Sequence, residues 1–381
     1  GLMKAVVSFL REEGKCQLEL HTVLDALKVF TGSQTTNILA LALLANLEMR
    51  LRTVSSKNLV SLSAEASTDP LRQVVAAEVG RRISKIKVVR RTQDFDDLVA
   101  ILAQWASRGP LSFAEDEAKG REVITERSAR MTYVILASLR DMIQQDPKNA
   151  PRRLAATVAA ISPFAGGDAA EPLAACLPAA LSLAEAPGPR PAGELAFHLA
   201  ALHHGALPFH VAIRLWRVLG VALRDREEEK IEHGLRAKIR AFALSIYCFS
   251  SRTTLATLRM APESASLEAY VEELDKVHFQ WQKDPAVKDV ASTVRRVLPE
   301  AVPSSTFVEK LAIAGTPYEA DFAIEDLRVL LLLPRTELCL AEEGTLSCQG
   351  RLMQRILEHL GWRVGWLWPH SELDRDGLRR L

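Results

Sequence analysis

The residues with the clearest chemical potential form a short basic run. Between positions 81 and 91 the chain places six cations and no carboxylate: Arg81, Arg82, Lys85, Lys87, Arg90 and Arg91. Arg and Lys supply most of the sequence-independent affinity of proteins for phosphate backbones. We therefore expect this run to contact RNA. The same residues are also compatible with a solvated helix end or with a surface for an acidic protein.

A second group of candidate RNA contacts lies near the C-terminal end: Arg351, Arg355, Arg363 and Trp368. The arginines make this end mildly basic, and aromatic rings stack on unpaired bases. Tryptophans recur here at even-numbered positions, however, which is typical of the buried face of a strand. Trp368 is favoured for stacking because it lies at the end of that strand.

The sequence offers little other chemistry. Four histidines resemble metal ligands, but no Cys or carboxylate cluster accompanies them at ligand spacing: His198, His203, His204 and His210. We interpret them as ordinary helix histidines. The chain has no phosphate-binding loop, dinucleotide-binding motif or nucleophile elbow. Its five cysteines include no C-x-x-C pair. The prediction is a protein without a metal, a cofactor or a small-molecule substrate.

The residues before about position 300 predict helices, because apolar residues recur at i, i+3, i+4 and i+7. Helices around Leu59 and Leu98 are 39 residues apart, and those around Leu154 and Leu195 are 41 apart. Helix-pair repeats of this size stack into solenoids. We predict a mostly α fold, an irregular α-solenoid of helical hairpins over residues 1–300, with a compact bundle as the alternative. An Ala-, Pro- and Gly-rich segment, 163–191, marks a possible break.

The end of the chain has a different pattern. Residues 301–317 are predicted to form a linker, and residues 318–381 a small α/β domain. Alternation places Phe322 and Ile324 on one side of a strand, and the apolar run 328–333 predicts a second, buried strand. An amphipathic helix over 351–360 then leads into the Trp-rich strand, and Ser371 begins a last predicted helix.

Three segments carry a family resemblance: Asp321-Phe322-Ala323-Ile324, the run Val329–Leu333 with Pro334, and the sequence RILEHLGWRV from Arg355 to Val364. They resemble the RAP domain, a short C-terminal module of organellar proteins in apicomplexans, algae and plants that usually follows degenerate helical repeats. The resemblance implies a reduced restriction-endonuclease-like fold and organellar RNA binding. Such proteins act in RNA stability, processing or translation, and in some lineages belong to mitochondrial ribosomes.

The chain departs from the family where catalysis would require acids. The family's strand often ends in an acidic stretch, whereas this chain has four leucines, Leu330–Leu333, before Pro334. The family's basic position on the following helix falls near Met353. Metal-assisted cleavage of phosphodiesters needs clustered carboxylates, and Asp321 alone does not supply them. The fold prediction is therefore a degenerate endonuclease-like domain, and the protein is predicted not to be an enzyme.

Composition limits how RNA would be bound. The formal net charge is +1, so an RNA-binding surface must be a local patch rather than the whole protein. The longest apolar run, Ile38–Leu47, is about half of the ~20 residues that cross a bilayer, so no membrane partner is expected. Scattered cysteines in odd number favour a reducing compartment.

These observations lead to one functional expectation with alternatives. We expect a non-catalytic organellar RNA-binding protein, an architectural component of a mitochondrial ribosome that contacts rRNA and neighbouring subunits. A plastid location is the alternative to the mitochondrion. The first alternative function is a free factor for processing, stabilising or translating organellar RNA. The second is a helical-repeat scaffold that binds only proteins.

Overall fold

The structure is a computed structural model. It describes residues 51, 54, 58–60, 62, 69–107, 118–164, 167–181, 187–224, 231–274, 277–280, 287–301, 307–335, 338–339 and 345–368. Within these ranges the protein is mostly helical, with a small four-stranded sheet at the C-terminal end. The first 50 residues, which are part of the predicted helical region, and the last helix predicted from Ser371 lie outside the described residues.

Thirteen α-helices occur in the described residues. They are α1 (Asp69–Ile83), α2 (Thr92–Ser107), α3 (Ala118–Gln145), α4 (Ala150–Ile161), α5 (Ala170–Ala175), α6 (Leu177–Ala180), α7 (Pro189–Leu202), α8 (Phe209–Arg224), α9 (His233–Phe249), α10 (Arg252–Arg259), α11 (Ser264–Glu273), α12 (Val287–Ala301) and α13 (Cys348–His359). The strands are β1 (Phe307–Ala312), β2 (Glu319–Ile324), β3 (Val329–Leu332) and β4 (Arg363–Trp366). No helix in these parts of the chain combines the length and apolar composition that a bilayer span requires.

Helices α1–α11, the helical region, pack mainly on helices that are close to them in the chain. Helix α2 contacts α3 and α4, α7 contacts α4, α8 and α9, and α8 contacts α11. The segment 163–191 contains the short helices α5 and α6. Because α4 nevertheless packs directly on α7, one apolar core continues past this segment.

The sheet has the strand order β1-β2-β3-β4, with the first three strands antiparallel and β4 parallel to β3. All four residues of β3 are buried, as the continuous apolar run predicted. Alternate side chains of β2 and β3 enter two different clusters. Phe322, Ile324 and Leu331 pack with Val290 and Val294 of α12, whereas Ala323, Leu330 and Leu332 join the main core with α13. The predicted placement of Phe322 and Ile324 on one side is confirmed.

The predicted linker over residues 301–317 is wrong, because β1 occupies Phe307–Ala312 and pairs with β2. The predicted domain start at residue 318 is also too late, since α12 covers one face of the sheet. A sheet with two apolar faces needs a layer on each of them. The sequence did not predict β1 because its centre contains the charged residues Glu309 and Lys310, both exposed. Such residues are typical of edge strands, and β1 is at the edge of the sheet.

Helix α12, the sheet and helix α13 form the C-terminal module, which packs on the helical region. Helix α13 contacts α7 and α9. The ring of Tyr318 stacks on Phe279, with centroids 5.6 Å apart, and Tyr318 is 1% exposed. The main core therefore extends from the helical region into the module without interruption.

Two glycines offer a matched test of helix packing. A methyl group at Gly220 of α8 would overlap the backbone carbonyl of Glu263, whereas one at Gly234 of α9 would meet nothing. We expect Gly220→Ala to destabilise the protein by about 1–3 kcal/mol, because the backbone must move. Gly234→Ala should be neutral or stabilise it by up to about 1 kcal/mol, because alanine favours a helix. Urea unfolding of both variants checks this, and equal stabilities would contradict the packing of α8.

Candidate nucleic-acid interface

The predicted basic run spans the last turn of α1 and the loop at residues 84–91, which we call the basic loop. Lys85, Lys87 and Arg90 are exposed on this loop. The loop is anchored from below, because Val89 is 5% exposed and its backbone N–H donates to Ser138 Oγ of α3 at 2.8 Å. The exposed cations therefore project from a backbone that is fixed on the helical region.

Two of the predicted RNA contacts instead serve the fold. Arg82 Nη2 donates to the carbonyls of Leu51 at 2.7 Å and Val54 at 2.6 Å, and its Nε donates to Glu78 Oε1 at 2.7 Å. Arg81 binds the same carboxylate with both Nε at 2.7 Å and Nη2 at 2.6 Å. The hydrogen bond from Arg81, reinforced by that from Arg82, holds the pKa of Glu78 below its usual value, against the opposing effect of burial.

A third predicted contact, Arg91, pairs with Asp94 in the first turn of α2 at 2.7 Å. The carboxylates of Glu78 and Asp94 lie just outside the basic run, three positions from Arg81 and Arg91. Side chains three or four positions apart meet on a helix, so the spacing of Glu78 was a usable signal. Among the described residues, Lys85, Lys87 and Arg90 have no such carboxylate partner.

Sequence reasoning missed two residues beside the basic loop. Arg130 of α3 donates from Nη2 to the carbonyl of Ile86 at 3.3 Å. Its guanidinium carbon lies 5.3 Å from the ring centroid of Tyr133, whose side chain is 60% exposed. Arg130 and Tyr133 lie three positions apart on one helix, but the contact of Arg130 with Ile86 depends on the packing of α3 under the loop.

Two of the C-terminal arginines make contacts within the protein, and one of these contacts joins the module to the helical region. Arg355 Nη1 donates to the carbonyl of His204 at 2.7 Å, and its guanidinium lies 4.8 Å from the ring centroid of Phe249. Arg351 is half-buried, and its Nη2 donates to Cys348 Sγ at 3.6 Å. These two side chains make contacts within the protein that the sequence did not predict.

The remaining two C-terminal candidates lie on β4 and just after it. Arg363 is exposed at the first residue of the strand. Trp368 is half-buried and stacks on Trp366, with centroids 6.3 Å apart. The guanidinium of Arg328 lies 5.8 Å from the ring centroid of Trp362. The even-numbered tryptophans thus pack partly on the core, as expected for one face of a strand.

Asp321 of β2 is buried, and both of its carboxylate oxygens accept hydrogen bonds. One carboxylate oxygen accepts from the Leu333 backbone N–H at 2.9 Å, and the other accepts from Arg335 Nη2 at 2.6 Å. The Asp321 and Arg335 side chains are 6% and 8% exposed. In the described part of the chain, no three His, Cys, Asp or Glu residues gather as a metal site. Asp321 here neutralises a buried arginine beside β3.

A buried polar chain runs through α4, α7 and α9. Ser162 Oγ lies 2.7 Å from His198 Nδ1, His198 Nε2 lies 3.1 Å from Glu194, and Lys238 Nζ binds Glu194 at 2.8 Å. Because a carboxylate only accepts, we assign the imidazole proton to Nε2 and the Ser162 hydroxyl as donor to Nδ1. The order Ser-His-acid matches a hydrolytic triad. Ser162 is 0% exposed, however, so no substrate reaches its oxygen.

The surroundings of His198 and Glu194 determine the charge that each side chain carries in this polar network. Burial, with the nearby charge of Lys238, lowers the pKa of His198, so the imidazole is neutral at pH 7. Burial alone would raise the pKa of Glu194, but the hydrogen bond from His198 and the charge of Lys238 lower it to about 2. The prediction that His198 is an ordinary helix histidine agrees with this position in the core.

Comparisons with known proteins identify no family for this chain. No protein-family model matches the chain, and no curated protein matches it. The resemblance to the RAP domain therefore rests on the quoted residues, and what it implies is carried forward only as a proposal.

The His198 network predicts that stability falls in mild acid. The unfolded chain takes up a proton at this histidine near pH 6.5, whereas the folded protein resists it, so stability present at pH 7 declines as the pH falls toward 5. The slope for one such group is at most about 1.4 kcal/mol per pH unit. Urea unfolding between pH 7 and 5 should show a smaller slope for His198→Gln than for the wild type. Identical slopes would contradict a neutral buried imidazole.

Proposed function

We propose that this protein is a non-catalytic RNA-binding protein of an organelle and that the basic loop is its contact with the phosphate backbone. The observation that carries the proposal is the set of exposed cations Lys85, Lys87 and Arg90 on an anchored loop. In a chain of net charge +1, a cluster without carboxylate partners concentrates positive potential at one place. Phosphates are the polyanions that such a cluster attracts with little dependence on sequence.

The C-terminal module supports the RAP-like part of the proposal. Its order is a helix, three antiparallel strands, a second helix and a strand parallel to the third. This arrangement is compatible with the reduced restriction-endonuclease-like core that the family resemblance implies. The buried carboxylate of Asp321 is held by Arg335, which favours binding over cleavage. We propose that the module is a degenerate RAP-like domain that has kept its fold and lost the acids needed for catalysis.

The helical region supports a repeat architecture. Its helices contact partners that are one to three helices away along the chain, which is how stacked helix pairs pack in solenoids. We propose an irregular α-solenoid that presents the basic loop from its N-terminal part. Solenoids offer extended surfaces for other macromolecules, so protein partners would bind where this surface is charge-balanced.

Within RNA-binding proteins, an architectural ribosomal component fits this charge distribution best. A free factor that grips a long single strand needs cations along much of its surface, whereas Arg81, Arg82 and Arg91 are paired with carboxylates. A subunit of a large ribonucleoprotein touches RNA on one patch and protein on its other faces. We therefore propose a component of a mitochondrial ribosome that binds rRNA and neighbouring subunits.

Charge reversal of the basic loop tests the RNA contact. We expect Lys85→Glu, Lys87→Glu and Arg90→Glu together to weaken binding to RNA, since each removes a phosphate contact. The slope of log affinity against log salt should fall by about 2, at roughly 0.7 per contact with single strands. Fluorescence anisotropy with a labelled RNA at several salt concentrations measures both quantities.

Matched control reversals use exposed cations elsewhere: Lys148→Glu, Arg152→Glu and Arg252→Glu. They change the net charge equally and should leave the salt slope unchanged. Equal losses in both triple variants would mean that only total charge matters. Unchanged binding after reversal of the loop would contradict the proposed interface and favour a scaffold that binds proteins.

The ribosomal assignment is tested by sedimentation of the endogenous protein in an organelle lysate. We expect it to migrate with one ribosomal subunit and to shift to lighter fractions after treatment with RNase. Migration with light RNA-dependent complexes would favour a free RNA factor instead. A light position that RNase does not change would overturn RNA binding as the main function.

A further inference from the structure

Tyr133 of α3 presents an exposed aromatic ring next to the basic loop. We propose that this ring is a stacking platform for an unpaired base of the RNA whose phosphates contact Lys85 and Lys87. The proposed ligand is thus single-stranded or looped RNA rather than a regular duplex. This inference rests on the proposed function and assigns a second type of contact to the same surface.

The guanidinium of Arg130 joins the ring to the loop. It donates to the carbonyl of Ile86 at 3.3 Å and lies 5.3 Å from the centroid of the Tyr133 ring. Ile86 lies between Lys85 and Lys87, both exposed. Arg130 therefore links the Tyr133 ring to the segment of the loop that carries the two exposed lysines.

The ring is available, and its support is rigid. Tyr133 is 60% exposed, whereas its neighbours Val134 and Ile135 are 0% exposed in the core. Helix α3 thus fixes the backbone of Tyr133 and directs its side chain outward. A tyrosine in this position contributes little to packing, so its removal should leave the fold intact. Val88 of the loop, 43% exposed, offers an apolar side chain of the kind that packs on base faces.

The chemistry of the surface selects unpaired bases. Cations alone bind duplex and single strands alike through phosphates. An aromatic face adds stacking energy only when a base has left its own stack, which happens in loops, bulges and single strands. The cation over the ring strengthens this site, since guanidinium groups also stack on bases. An acidic protein segment would use the cations but gain little from a free ring face.

The test compares Tyr133→Ala with Tyr133→Phe, using anisotropy with a labelled twelve-nucleotide oligouridine and a twelve-base-pair RNA duplex. We expect Tyr133→Ala to weaken oligouridine binding by about 5- to 100-fold, the range that corresponds to loss of one stacked base. Tyr133→Phe keeps the ring and should bind within about twofold of the wild type. Duplex affinity and the salt slope should change in neither variant, because stacking releases no counterions.

Phe209→Ala is the control for loss of an exposed aromatic ring, since Phe209 is 50% exposed on α8. It should leave oligouridine affinity unchanged. Equal binding by the wild type and Tyr133→Ala, with binding lost on reversal of Lys85, Lys87 and Arg90, would overturn the stacking site and leave the proposed function intact. A Tyr133→Phe variant as weak as Tyr133→Ala would also overturn it, because the hydroxyl would then be responsible. If the loop reversal also has no effect, the proposed function itself fails.

Discussion

Burial of helix α13 is the constraint on which the rest of the structure depends. The helix covers one face of the sheet and at the same time packs on α7 and α9 of the helical region. The packing on both sides removes the apolar side chains of α13 from water. Each of four is at most 1% exposed: Leu352, Met353, Ile356 and Leu357. Burial of this kind contributes roughly 1.5–3 kcal/mol for each large side chain, so detaching the module would expose a substantial part of the core. The chain therefore behaves as one structure in which the module continues the helical region.

Hydrogen bonds from arginines also stabilise this junction and the packing below the basic loop. Arg355 satisfies the carbonyl of His204 after the end of α7, and Arg82 satisfies the carbonyls of Leu51 and Val54. The hydrogen bonds of Arg82 are partly buried, and a buried carbonyl left without a partner costs about 1–3 kcal/mol, so Arg82 is held by the fold. This explains why several arginines in basic stretches of the sequence are not surface contacts. The cations that can bind a polyanion are those whose hydrogen-bond donors are not already paired with an acceptor within the protein.

The charge that remains is local, and this shapes the functional proposal. Lys85, Lys87 and Arg90 project from a loop that Val89 and Ser138 hold in place, with Arg130 beside them. Cations on an anchored backbone bind a polyanion with less ordering cost than cations on a mobile segment. It does not provide the continuous track that a processive or long-footprint RNA binder requires. A protein that uses such a local patch is suited to a fixed place in a larger assembly.

Much of the secondary structure was determined by the sequence alone. The 3.6-residue apolar period predicted α2, and the leucine run predicted the buried strand β3. The amphipathic pattern over 351–360 predicted most of α13, which is followed by Gly361 with φ of 87°. These features are local, since a period, a run or a glycine acts within a few residues. Only the tertiary structure decided that edge strand β1 belongs to the sheet and which cations stay exposed. It also decided that Arg130, whose guanidinium lies over the Tyr133 ring, contacts the basic loop. Each of these depends on contacts between distant residues, such as Arg130 with Ile86, and no short pattern in the chain encodes them.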